Sequence, residues 1–366
     1  MLVSRVGLLP RAAGGGENGP RMIAAHPLPR QGSGHRDTAP GPAPAWQHAL
    51  RQAVTRPADL LALLDLDPAL PQLDFERLKD FPLRVPLGFV RRMRPGDPHD
   101  PLFLQVWPSA AEGRTVPGFG LDAVGDLAVE QDGVLHKYEG RVLLIATGAC
   151  AVHCRYCFRR HFPYGDALAA RERWRPALAR IAEDPTIAEV ILSGGDPLSL
   201  SDDRLADLLE GLAAIPHVRR LRIHTRQPIV LPERVDAGLL RVLADAPFDK
   251  AMVLHANHAN ELDSAVAEAC EGLRGAGLVL LNQSVLLRGV NDSADALHGL
   301  HERLFTLGVL PYYLHLLDRV DGTAHFEVPE ERARDLMRAL TVRSPGYLVP
   351  RLAREVQGDP SKQWLW

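Results

Sequence analysis

Strong net charge is missing from this sequence: 42 Lys and Arg residues face 45 Asp and Glu, a formal balance of -3. No overall field therefore draws the chain to nucleic acid or to an anionic membrane, and partners have to be sought in local sites. Long apolar runs are missing too. The longest, such as VLLIATGACAV, are strand-sized and fall short of the roughly 18 to 20 residues a membrane-spanning helix needs. Cysteine is scarce, four in 366 residues, and three of the four are crowded together. That is not the spread pattern of a secreted disulfide scaffold, and it fits a reducing cytoplasm. What is present, 46% hydrophobic and 24% charged residues, is the composition of a folded globular chain.

Residues 1–45 are rich in Gly, Pro, Arg and Ala without helical or strand periodicity, and read as a disordered leader. Residues 46–132 are helical in pattern and broken by prolines, a helical N-terminal region. A regular alternation then sets in over 133–345, with strands expected at 141–147, 188–195, 218–226, 249–257, 278–286 and 311–318 and helical stretches between them. Six strand-then-helix units demand right-handed crossovers and hence a parallel sheet. The fold class is α/β, either an open doubly wound sheet or a partial (β/α)6 barrel, and in both the chemistry collects at the C-terminal ends of the strands.

CAVHCRYCFRRHF, residues 150–162, follows the first of those strands, so a strand-end loop presents Cys150, Cys154 and Cys157. A structural zinc site needs four closed ligands, and a second Cys-x-x-Cys pair is absent from the sequence. Cys270 lies among Ala and Leu in a helical pattern and reads as a buried structural thiol. Three thiolates suit a four-iron cluster with one iron left open, whereas electron-transfer clusters use four.

The spacing Cys150-x3-Cys154-x2-Cys157, with Tyr156 before the last cysteine, resembles the signature of the radical S-adenosylmethionine enzymes. That resemblance implies a partial α/β barrel, a [4Fe–4S] cluster and S-adenosylmethionine chelated to the open iron. LSGGDPL, residues 192–198, is similar to the element that receives the methionine amino group, through Ser193, Gly194, Gly195 and Asp196. Exposed backbone carbonyls beside glycine and the charge of Asp196 suit an ammonium. Longer stretches, including HKYEGRVLLIATGACAVHCRYCFRRHF, RIHTRQPIVLPERV, NQSVLLRGVND and PYYLHLLDRVDGTAHF, resemble the lysine 2,3-aminomutase family from about residue 80 to the end. They are most similar to its shorter members, which supply β-lysine for modification of translation elongation factor P.

The family resemblance implies a second cofactor, pyridoxal 5'-phosphate, held as an aldimine on Lys362 in a C-terminal segment, residues 346–366. Lysine is otherwise rare in this chain, and a near-terminal lysine read alone is a solvated surface residue. By the same matching, Arg141 grips the cofactor phosphate and Arg159 the substrate carboxylate, where a guanidinium fork suits bidentate recognition. Asp318 and Glu355 hold the distant ammonium, and His255 and Gln283 contact S-adenosylmethionine. Further implications are lysine as substrate, a flavodoxin or ferredoxin as reductant, and a functional link to elongation factor P and its lysine ligase. Where the family has Asp, Glu355 keeps the charge on a longer arm. Ser293 stands where longer members have a zinc-binding cysteine, so that zinc is expected to be absent. The alternatives are the same chemistry on arginine or glutamate, the latter disfavoured by the two acids, and a non-catalytic iron–sulfur or zinc module.

Overall fold

The computed structural model describes residues 44–69, 81–164 and 174–366. The leader expected over 1–45 lies outside them except at its end, where Ala45 opens the helix Ala45–Arg51. Ten strands follow in one sheet whose spatial order is the chain order: β1 (Glu130–Gln131), β2 (Val134–Tyr138), β3 (Arg141–Thr147), β4 (Glu189–Gly194), β5 (Arg220–Thr225), β6 (Asp249–Leu254), β7 (Val279–Val285), β8 (Leu310–His315), β9 (Arg351–Arg354) and β10 (Gln363–Trp364). Pairing is parallel from β3 to β9 and antiparallel in the flanking pieces β1–β2–β3 and β9–β10. The six expected strands are all present. Those missed are short or near the ends: the β1–β2 hairpin, turned at Asp132 and Gly133 with both at positive φ, and β9 and β10 in the C-terminal segment. A helix precedes each of β4 to β9, which gives six β/α units and a seventh parallel strand.

Period two sorts the strand residues between two environments. Val142, Leu144 and Ala146 of β3, Val190 and Leu192 of β4 and Leu221 and Ile223 of β5 share one buried apolar cluster with helix residues such as Ile181, Leu205 and Leu239. The residues between them, among them Arg141, Ile191, Ser193, Arg222 and His224, face the hollow of the sheet. The N-terminal helical region builds a second cluster around Phe89, Leu102 and Phe103, which takes in Ala151 and Val152 of the cysteine loop. That loop is clamped further by the buried pair Arg155–Glu112, with Nε to Oε1 at 2.9 Å.

β1 and β10 do not pair, so the barrel stays open along one seam. Side chains cross it. Lys137 on β2 donates to Glu355, just beyond β9, at 3.1 Å and to Asp126 at 2.6 Å. The sheet is thus curled far enough for its first and last parts to share an ion pair with little exposure on either side. Lys137→Met is expected to lower stability by about 2 kcal/mol, because two largely buried carboxylates each lose one cation and keep another. Denaturant unfolding tests this: an unchanged midpoint at unchanged slope would show that the seam pairing contributes nothing.

Candidate active site

The hollow of the curled sheet is a cavity of about 760 Å³, near the top of the usual range for small-molecule sites. All fourteen site residues expected from the sequence line it. They divide between two ends, because Arg141 opens β3 while the cysteines follow its far end, about 20 Å of strand away.

At the C-terminal end the cysteine loop lies against the turn after β4. Asp196 N–H donates to the Ala149 carbonyl at 2.7 Å, and Gly195 N–H to that of Thr147 at 2.6 Å. A Cβ on Gly195 would stand 2.5 Å from the Ala149 oxygen, and one on Gly194, at φ +114°, 2.7 Å from the Thr147 oxygen. Only glycine permits this approach. Asp196 does not stand free: its two oxygens accept from Thr225 Oγ1 (2.6 Å) and from the backbone N–H groups of Leu198, Arg226 and Gln227. Burial pushes its pKa up against those bonds. Its carboxylate therefore organises the turn, and the backbone of that turn is left to meet a ligand.

Burial, the Asp196 carboxylate and the two neighbouring sulfurs push the Cys150 thiol well up, and burial with Cys154 pushes Cys157 up to about 11. Thiols that oppose one another's ionisation suit a cationic centre, which favours all three thiolates together. Among the described residues no three of these or other His, Cys, Asp and Glu side chains already stand as a metal-ligand group, yet three thiols on one loop beside a glycine turn have the chemistry for a cluster with one open iron. Cys270, by contrast, is fully buried in the helix Ser264–Gly275, as expected of a structural thiol.

Across the seam a chain of alternating charges joins the expected substrate residues. Arg159 donates from Nη1 to Ser193 Oγ at 3.1 Å and from Nε to Asp126 at 2.8 Å. Asp126 pairs with Lys137, Lys137 with Glu355, and Glu355 with Lys362 Nζ at 2.7 Å. Burial pushes Glu355 up, but Lys362 and Lys137 outweigh it and hold the carboxyl at about 2. Asp318 goes the other way. Burial, reinforced by Glu355 and only partly relieved by Lys362, raises it to about 7.

The sequence reading missed several groups on this wall. His224 and His315 line it beside the expected His255; His315 is buried and the other two half-buried, each with its Nε2 atom buried and unpartnered, and the His224 and His255 rings lie 5.6 Å apart. Burial drives His255 down to about 4 and the other two well below the usual range, so they stay neutral. At the far end the Arg141 guanidinium lies over the Tyr138 ring at 4.7 Å. Orphaned imidazole nitrogens, an arginine and a lysine in one pocket fit a phosphorylated aromatic aldehyde. The signal for His224 and Arg226 was alternation: with Arg222 they share one face of RIHTR. Asp126 and Lys137 gave no such signal, because only the curl of the sheet brings them to the site.

The parallel partial barrel, with three thiols and a glycine turn at its C-terminal rim, defines a radical S-adenosylmethionine protein, and the Radical SAM superfamily profile matches residues 144–298. L-lysine 2,3-aminomutase of Escherichia coli (strain K12) is 48% identical over 318 residues, 87% of this chain and 93% of that protein. The protein of the same name from Haemophilus influenzae is 46% identical, covering 87% and 94%, and that from Clostridium subterminale 32% identical, covering 87% and 76%. The chain belongs to the lysine 2,3-aminomutase family. It is an isomerase, not a non-catalytic metal-binding module. Membership of the superfamily implies a four-iron cluster and S-adenosylmethionine. Among the described residues no helix is long and apolar enough to cross a membrane.

Gly195→Ala should force the cysteine loop away from the β4 turn at a cost of ~1–3 kcal/mol. Less iron per chain after anaerobic reconstitution, at unchanged helix content, is the expected result; full iron loading would show the close approach to be dispensable.

Proposed function

We propose that this protein converts lysine to β-lysine by a radical 2,3-amino shift and uses pyridoxal phosphate as its second cofactor. The observation that carries the reading is Lys362: it lines the same cavity as the cysteines, and its Nζ donates to Glu355 at 2.7 Å. S-adenosylmethionine supplies a carbon radical on reductive cleavage at the cluster, and pyridoxal phosphate supplies a π system that stabilises the radical during nitrogen migration.

The chain's own residues bind and orient. Lys362 holds the aldehyde cofactor and Arg141 its phosphate, with the neutral histidines available as uncharged hydrogen-bonding partners. The Arg159 fork takes the amino-acid carboxylate. Ser193, Gly194 and Gly195 offer their turn to the methionine part of S-adenosylmethionine, with Asp196 holding that turn in shape, and His255 and Gln283 face the rest of it. Asp318 and Glu355 receive the substrate's distant ammonium. With the cofactor bound, Glu355 would keep the Lys137 ion pair on Oε1 and could turn Oε2 to the substrate's ammonium.

A role in supplying β-lysine for elongation factor P, with that factor's lysine ligase as functional partner and a flavodoxin or ferredoxin as electron donor, rests on the sequence resemblance. A cytoplasmic setting suits thiols that must stay reduced.

Anaerobically reconstituted protein should form β-lysine from free lysine, and Lys362→Ala should abolish turnover. Borohydride treatment of the pyridoxal phosphate-loaded protein should label Lys362, as read by peptide mass. Full turnover by Lys362→Ala would refute the cofactor assignment.

Affinity for lysine should also depend on pH through Asp318. The ammonium binds the ionised carboxylate, and a group held at about 7 loses that form as pH falls, so affinity should weaken up to about tenfold per unit below pH 7 and level off above it. Glu355 near 2, His255 near 4 and Cys157 near 11 do not titrate in that window. Binding measured between about pH 6 and pH 8 should show this slope in the native protein and a flat, weaker profile in Asp318→Asn.

A further inference from the structure

Arg226 follows the last residue of β5, and nothing in the substrate reading uses it. Its side chain is 7% exposed. Nη1 donates to Cys154 Sγ at 2.8 Å and to the Tyr156 hydroxyl, while Nη2 donates to Gln105 Oε1 at 2.7 Å and Glu261 Oε2 at 3.0 Å. Its backbone N–H donates to Asp196 at 2.8 Å. The rings of Phe89 and Tyr156 lie 5.6 and 5.4 Å from the guanidinium carbon. Glu261 is fully buried and is itself held by the backbone N–H groups of Asn257 (2.8 Å) and His258 (3.0 Å). The arginine therefore has a fixed counter-ion on one side and a cysteine sulfur on the other.

Burying an ion pair is costly and is weak evidence for stability. Here the pair ends on a sulfur in the cavity wall, and Nε of Arg226 remains buried without a partner on that same wall. Hydrogen bonds and positive charge at the sulfurs of an iron–sulfur cluster stabilise its reduced, more negative form.

We propose that Arg226 is a positioning residue for the iron–sulfur cluster: balanced by Glu261, it orients the Cys154 sulfur and sets how readily the cluster accepts its electron. The step is a one-electron reduction of the cluster by an external donor of the flavodoxin or ferredoxin class, which is oxidised by one electron; no bond in the protein breaks. The proposal rests on the reading that Cys150, Cys154 and Cys157 carry the cluster.

The test uses the full chain, reconstituted anaerobically without lysine or S-adenosylmethionine. Iron and sulfide are counted and the midpoint potential is read from the electron paramagnetic resonance signal of the reduced cluster. In Arg226→Gln the cluster loses a donor charge and faces an uncompensated Glu261, so reduction should become about tenfold less favourable, ~59 mV more negative for one electron. In Glu261→Gln the arginine is uncompensated and the shift should be positive. Shifts of opposite sign are not what a merely structural contact produces, since that would lower iron content in both variants and leave the potential of the surviving clusters unchanged. A native potential in Glu261→Gln overturns the proposal even if Arg226→Gln fails to fold. Full iron content in Cys154→Ala overturns the cysteine reading instead.

Discussion

The open seam of the barrel is the constraint on which the rest depends. Seven parallel strands do not close on themselves, and the antiparallel pieces at either edge remain unpaired with one another. What joins them is charge: Arg159, Asp126, Lys137, Glu355 and Lys362 alternate in sign across the gap, each within 3.1 Å of the next. In a low-dielectric setting such a chain holds only while every member keeps a partner. It holds Lys362 on the wall of the cavity and gives Glu355 a charge that burial alone would suppress. The same groups that close the fold are the ones that a substrate carrying a carboxylate and an ammonium would address.

Desolvation then separates the chemistry inside. Burial alone would push every carboxyl up and every imidazole down. Glu355 escapes because two ammonium groups stand against it, whereas Asp318, less well compensated, does not. Three histidines stay neutral, and burial pushes the Cys150 and Cys157 thiols up. One cavity thus holds paired guanidinium and ammonium groups, a carboxyl poised near neutrality, uncharged imidazoles and three thiols side by side.

Much of this was legible in the residues. The spacing of Cys150, Cys154 and Cys157 announces itself because one loop after a strand carries all three close together in sequence. Alternating strand and helix patterns mark six of the seven parallel strands. β9 escaped notice because four residues are too few for a period to register, and the β1–β2 hairpin because its first strand has two residues. Arg226 and His224 alternate with Ile223 and Thr225 in RIHTR, but alternation tells only that they share a face, not that the face is the inner one.

By itself the sequence determined the spacing of the three cysteines, the strand–helix period and the glycine turn that must approach a carbonyl, since each depends on neighbours along the chain. Tertiary structure alone decided which of two faces became the hollow, that Asp126 and Lys137 would stand between Arg159 and Glu355, and that Arg226 would reach Cys154 from 72 positions away. The physical reason is common to all three: they are charges whose partners exist only once the sheet has curled and water has been excluded between its edges, and no local pattern records a partner that distant.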